Sequence, residues 1–511
     1  GNNNLSMAIA TNFTWTGTGG FTAAADITRT INFGATGGSS TNAPNFTLTG
    51  SGTAVVSFAS GSWFNTLNFG TTAFTVAATT LNLNNLVLST GGTFTSLSPT
   101  MVGTGTITTN GKAVAGLTVN TGGTFTLSSA LSCTTYTQTA GTIDFASFNL
   151  TCSSTATYTA GTLLNTGTIT CTTWTCAGTF TMTNGTITPS TSFVVTGAFN
   201  YNGGTLSAVP TFTHTSSTVT LGKAYALTAT GPYTLTAGTL TLSGFDLTTG
   251  IFASTGTGVR SIAFGTNNII LAHTTAATTV LSMANATNFS WTGTGGFTVA
   301  ADITRTFTVG TTGGTSTTSP NLTLTGSGTA VLTFTTGSWF NKLDFGTTAF
   351  TLAGTTLNLN SLTLSTGGVF TNLTATMVGT GTITPNGKSI AALTINHSGT
   401  TTLAGALSTV VTATTTLTSG TLDLAGFTLT TGIFSSNNSN TRSISFGSGN
   451  ITMVTTTANL ANLTMQTATG FTCTGTGGFT STADINRVFY FGTTGGGSST
   501  NAPNITLSGS G

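Results

Sequence analysis

Cys133-Thr-Thr-Tyr-Thr-Gln-Thr-Ala-Gly141-Thr-Ile-Asp144-Phe-Ala-Ser-Phe-Asn-Leu-Thr-Cys152 returns to its starting residue type after 19 positions, and Cys171 follows after 19 more. Through the same region a Gly-Thr-[Ile/Leu] signature recurs at Gly141, Gly161, Gly185, Gly204 and Gly238. Equal spacing of a small, usually buried residue is what stacked coils produce, because like residues then lie above one another. The reading is an all-β chain folded as a parallel β-solenoid (β-helix) of roughly 19–20-residue coils, an elongated rod. Roughly 26 such coils at ~4.8 Å each would span on the order of 125 Å.

A larger repeat surrounds this region. Trp15-Thr-Gly-Thr-Gly-Gly-Phe21 with Asp26-Ile-Thr-Arg29 returns as Trp291 to Phe297 with Asp302-Ile-Thr-Arg305. It returns again as Cys473 to Phe479 with Asp484-Ile-Asn-Arg487. The first two copies are offset by 276 residues and the next two by 182, so the first unit carries 94 extra. That excess lies within about 141–238 and equals about five coils of ~19 residues. Whole coils can be inserted without disturbing their neighbours, since each coil touches only the next. The expected organisation is a first repeat unit over 1–280, a second over 281–462, and the start of a third over 463–511, with the array truncated at both ends.

Composition agrees with strand. Of 511 residues only 3 % are charged, with seven Asp, no Glu, four Lys and five Arg for a net charge of +2. Thr alternates with Phe, Leu, Ile, Val and Ala, as in Thr80-Leu-Asn-Leu-Asn-Asn-Leu-Val-Leu88. β-Branched residues in alternation favour strand, and the 68 Gly disfavour helix. Disorder couples low hydrophobicity to high net charge, whereas this chain is 38 % hydrophobic with 34 Phe. No apolar run reaches the roughly 18 residues of a membrane helix, and the scattered Trp and Tyr make no barrel girdle. A β-sandwich array is the competing fold; it would need hairpins and linkers between domain-sized units.

The Asp-Ile-[Thr/Asn]-Arg pairs (Asp26/Arg29, Asp302/Arg305, Asp484/Arg487) read as structural charge pairs. Positions i and i+3 of a straight strand face opposite sides, so a direct pair requires a corner between them. A ligand site is the other reading of these residues. Arg260 and Arg442, in Arg-Ser-Ile-[Ala/Ser]-Phe-Gly, are read the same way, and an isolated surface pair contributes only ~0–1 kcal/mol. Cys133, Cys152 and Cys171 read as a buried ladder of free thiols, with a disulfide between neighbouring coils as the other reading; three in one column cannot all pair. Trp63 and Trp339, in Gly-Ser-Trp-Phe-Asn, read first as core-stacking residues, and they are the candidates for a sugar platform as the other reading. Each histidine reads as a surface or loop residue.

Several chemistries lack their residues. Glycoside hydrolysis needs two carboxylates flanking the bond, and only Asp144 and Asp423 recur between units outside the corner pairs. No zinc spacing, calcium-binding nonapeptide or nucleophile–histidine arrangement is present. Nine Lys and Arg spread over the chain supply no basic face for nucleic acid. No enzyme activity, no cofactor and no metal site are expected.

Val259-Arg-Ser-Ile-Ala-Phe-Gly265 and Thr441-Arg-Ser-Ile-Ser-Phe-Gly447 carry a resemblance, as do Asn45-Phe-Thr-Leu-Thr-Gly-Ser-Gly52 and its copies from Asn321 and Asn504. These Thr/Gly/Asn-rich repeats resemble repeat-rich structural proteins of marine tailed phages and β-solenoid adhesins of bacterial surfaces. The resemblance implies an extracellular fibre, on a virion or a cell, that presents surface for attachment. Expected partners are other copies of the fibre and cell-surface glycans. The alternatives are a carbohydrate- or ice-binding solenoid adhesin and, third, a polysaccharide-degrading β-helix using Asp144 and Asp423.

Overall fold

The structure, a computed structural model, describes residues 5–24, 28–50, 55–70, 73, 75–77, 79–165, 167–300, 302–326, 331–346, 349, 351–482 and 485–508. Among the described residues there is strand and turn but no helix, and so no helix long and apolar enough to cross a membrane. The chain forms two compact units, Gly1–Thr228 and Ala229–Gly511. Each is a parallel β-solenoid.

In the first unit the Cys region shows the coil plainly. One ladder stacks 131–133 on Leu150–Cys152, and that strand on 169–170. A second runs from 136–138 through 156–158 to 174–176, 193–195 and 211–214. A third pairs 142–144 with Thr162–Leu164. Every pairing is parallel, so each coil supplies one short strand to each of three ladders. The second unit, taken by itself, is likewise organised by three parallel ladders. There, Leu429–Thr431, Ile451–Met453, Gly478–Thr482 and Asn504–Ser508 make one of them.

Coil length is less uniform than the cysteine spacing implies. The step is 18 residues from Thr79 to Leu97 and 19 from Leu131 to Leu150. It reaches 29 from Arg260 to Phe289 and again from Arg442 to Phe471. The added residues lie at corners, where loop closure costs little per extra residue. The strands themselves keep register.

Alternation decides what is inside. In Thr355–Thr363 the apolar Leu357, Leu359 and Leu362 are fully buried. Burying each such side chain stabilises by about 1.5–3 kcal/mol. Aromatic columns thread each interior, with Phe69 on Phe94 at 4.8 Å in the first unit and Phe345 on Phe370 at 4.8 Å in the second. Outward threonines pair coil to coil, as in Thr173–Ser192 at 3.0 Å and Thr421–Ser443 at 2.6 Å. These hydroxyl pairs satisfy each other without charge, in keeping with a chain of which only 3 % is charged.

Glycine is required where ladders turn. In the Trp-Thr-Gly-Thr-Gly-Gly-Phe module of the second unit, Gly293 has φ 104° and a Cβ on Gly295 would stand 1.8 Å from the Asn267 carbonyl oxygen. The module is thus the corner between strands Phe289–Gly293 and Gly296–Ala300. Phe297 follows at once into the core.

His214 corrects the expectation of a surface residue. It is fully buried at the end of strand Thr211–His214, opposite Val195, with its Nε2 3.3 Å from the Ser217 carbonyl. An inward ladder position, rather than the residue's polarity, set its place. Burial lowers its pKa from the ordinary 6.5, so the folded state takes up the proton less readily than the unfolded chain. The stability this neutral histidine contributes is complete above about pH 6.5 and is lost as pH falls from there towards the folded value. The urea midpoint should therefore drop between about pH 7 and pH 5, and His214→Gln should flatten that slope. A wild-type slope that the substitution leaves intact would remove His214 as its source.

Candidate functional site

The most faithfully repeated text lands on a corner. Arg305 opens strand Arg305–Thr312 and is 2 % exposed. Its Nη2 reaches Asp302 Oδ1 at 3.0 Å, its Nε donates to the Ala300 carbonyl at 2.9 Å, and its Nη1 donates to the His273 carbonyl at 2.6 Å. In the first unit Arg29 Nε donates to the Ala24 carbonyl at 2.6 Å, the same bond five residues back. In the third copy Arg487 opens strand Arg487–Gly495, and its Nη1 lies 2.8 Å from the amide oxygen of Asn462 with that amide correctly oriented. Asp26 and Asp484 lie outside the described residues. A cleft borders the corner in both units, lined by Thr22, Ala23 and Arg29 in one and by Thr298, Val299 and Arg305 in the other.

Trp63 and Trp339 are half-buried at the starts of equivalent strands. The Cδ1 edge of each ring lies against a loop glycine, so close that a Cβ would come within 2.3 Å on Gly38 and 2.5 Å on Gly314. Each indole therefore closes a loop, which limits its use as an open platform.

Cys133, Cys152 and Cys171 are all buried free thiols. Cys133 and Cys152 occupy one rung with their sulfurs 3.3 Å apart. Burial pushes the Cys171 thiol up to about 12, and likewise the companion Cys176, so neither is a thiolate at neutral pH. Cys473 stands where Trp291 stands in the preceding copy and is the one partly exposed cysteine. A thiol reagent should modify Cys473 first and reach the other four only on unfolding. Fast native-state labelling of Cys171 would contradict its burial.

The carboxylates singled out for hydrolysis serve turns. Asp144 Oδ1 accepts from the Ala146 N–H at 2.9 Å and from Asn165 Nδ2 at 2.9 Å, and Asp423 Oδ1 accepts from the Ala425 N–H at 3.0 Å. Ala146 and Ala425 have φ of 45° and 49°, strained values that the aspartate bonds help to hold. Among the described residues no three His, Cys or Asp side chains come together as a metal site.

One ladder is interrupted. Thr162–Leu164 pairs back to 142–144 and Phe180–Met182 pairs forward to Phe199–Tyr201, but these two strands do not pair with each other. A cleft of about 320 Å³ lies there, lined by both strands and reaching Ile187 inside. Leu163 is half-buried, whereas its rung partner Ile143 is fully buried. Amides of Thr162–Leu164 should exchange with deuterium at least about tenfold faster than those of Phe199–Tyr201. Equal protection would mean that the ladder is closed in solution.

Two features escaped the sequence reading. The first is a pair of buried guanidinium clamps. Arg260 is 0 % and Arg442 1 % exposed, and neither meets a carboxylate. Arg442 donates to the carbonyls of Ser436, Asn440, Thr467 and Thr469 and to Ser436 Oγ, at 2.5–2.9 Å. Phe471 lies 5.8 Å from the guanidinium, and burial lowers its pKa. The second is an asparagine ladder. Asn84 Nδ2 donates to Asn65 Oδ1 at 2.9 Å and Asn65 Nδ2 to Asn45 Oδ1 at 2.8 Å. Asn360, Asn341 and Asn321 repeat this at 2.9 and 2.7 Å. The signal was present in the sequence: Asn at steps of 20 and 19, twice.

The fold and these corners define a parallel β-solenoid of tandem repeats. Compared with known protein families, curated proteins and solved structures, the chain matches none.

Proposed function

We propose that the chain is an extracellular structural fibre, a tandem-repeat solenoid on a virion or cell surface whose role is attachment and which carries out no catalysis. The observation that carries this reading is the use made of the scarce charged and polar groups. Arg260 and Arg442 hold backbone carbonyls, Asp144 and Asp423 cap turns, and asparagines join coil to coil. Such an inventory supports construction. A surface hydrated by hydroxyl and amide groups also keeps its character as salt rises, because Debye screening acts on charges. Gold-labelled antibody to the chain, imaged on the native particle, should mark an appendage. Label confined to the particle interior would end the fibre reading.

A second reading, binding to ice or a polysaccharide surface, has one observation in its favour. Thr135/Thr137, Thr155/Thr157 and Thr173/Thr175 form a double column on three successive coils of one ladder. Thr118 extends the column at one end, and Ser192 with Val194 breaks it at the other. Thermal hysteresis with faceted ice crystals would favour this face as a binding surface; unshaped ice would remove it.

A further inference from the structure

Arg305 differs from the two clamps in one respect. Arg260 spends its guanidinium on five acceptor contacts, to Gly258, Ser254 (carbonyl and Oγ), Asn285 and Thr287. Arg305 makes three, leaving one N–H on each terminal nitrogen without an acceptor among the described residues. That guanidinium is 97 % buried, yet it lines a cleft of about 540 Å³. Thr298 lines the same cleft, and its Oγ1 is buried with no hydrogen-bond partner among the described residues. A buried hydroxyl left without a partner destabilises the fold, a cost that a bound acceptor or donor would relieve. Asp302, 60 % exposed, receives Arg305 on Oδ1 and has no donor on Oδ2 among the described residues.

We propose that this corner cleft binds a neutral saccharide through a vicinal diol. Two features select that class. The ion pair sets a donor and an acceptor side by side, the pattern adjacent hydroxyls satisfy by accepting from Arg305 and donating to Asp302 Oδ2. The Arg305 charge is already matched by Asp302, so an anionic sugar would meet the free carboxylate oxygen as a like charge. Ile270, Val299 and Ile303 give the cleft an apolar wall for the C–H face of a pyranose, as ligand sites combine apolar lining with a few convergent polar groups. The corner recurs, with Thr22, Ala23 and Arg29 at the places of Thr298, Val299 and Arg305.

This deepens the attachment part of the fibre reading, and it moves the expected saccharide contact from Trp63 and Trp339 to Asp302 and Arg305. The test uses the full chain in solution, with saturation-transfer NMR against methyl mannoside, methyl glucoside and glucuronate. The neutral glycosides should receive saturation and glucuronate should not. Thr298→Val removes the orphaned hydroxyl, so it should hold or raise the unfolding temperature while weakening binding about tenfold; Asp302→Asn should weaken it similarly. Absence of transfer to both neutral glycosides would overturn the proposal. So would a preference for glucuronate, or binding untouched by both substitutions. A labelled appendage with no saccharide binding would sink this site and leave the fibre reading standing.

Discussion

Arg442→Met should lower stability by roughly 3–5 kcal/mol, seen as a fall in the urea midpoint and as loss of amide protection around 436–471. The reason is the number of groups left behind. The guanidinium satisfies four carbonyls and one hydroxyl drawn from three stretches of chain, at 436, at 440 and at 467–469. The first two flank one corner and the third belongs to the next coil. Methionine fills much of the volume but offers no donor, so several buried oxygens lose their partners together. Arg442→Lys should recover little, since an ammonium group has three donors on a point and cannot reproduce the planar fork. Because each coil contacts only its neighbours, the damage should remain local at low denaturant and spread later. A loss below about 1 kcal/mol for the methionine variant would mean that water replaces the clamp, and the buried geometry would then be wrong.

That clamp also shows where sequence reading stops. The β-solenoid was legible because Cys133, Cys152 and Cys171 recur at the coil step and because inward Phe and Leu alternate with Thr. The turn role of Asp302 and Arg305 was legible because i and i+3 cannot meet on a straight strand. The partners of Arg260 and Arg442 are backbone carbonyls, which carry no residue identity, so nothing in the text marks these arginines as buried. His214 misled for the same reason: a ladder position fixes burial, and one copy of a residue does not reveal its ladder. The 29-residue coils were hidden because additions at corners leave the strands on either side looking regular. The open rung between Thr162–Leu164 and Phe180–Met182 has no signature at all, since both strands read as ordinary Thr-rich segments.

Asn341→Ala should cost roughly 2–4 kcal/mol, more than its half-buried position would suggest. Its amide is the middle rung: Nδ2 donates to Asn321 Oδ1 at 2.7 Å while Oδ1 accepts from Asn360 Nδ2 at 2.9 Å. Asn321 in turn spends Nδ2 on the Thr294 and Gly295 carbonyls at 3.2 and 3.1 Å, at the glycine corner of the preceding coil. Removing the rung therefore strips an acceptor from Asn360, which is 8 % exposed, and a donor from Asn321. Asn360 Nδ2 would keep only its bond to the Ser316 carbonyl at 2.9 Å. Its Oδ1 is already buried without a partner, and the next rung position is Gly379, where a Cβ would stand 2.2 Å from that oxygen. Glycine there, lacking a Cβ, admits the oxygen. Gly379→Ala should thus destabilise by a different route, overpacking, and the double variant with Asn360→Ala should restore much of that loss because the colliding amide is gone. If the Gly379→Ala and Asn360→Ala costs simply added, the oxygen would not lie against that glycine. The asparagine ladder would then have to be drawn with another end.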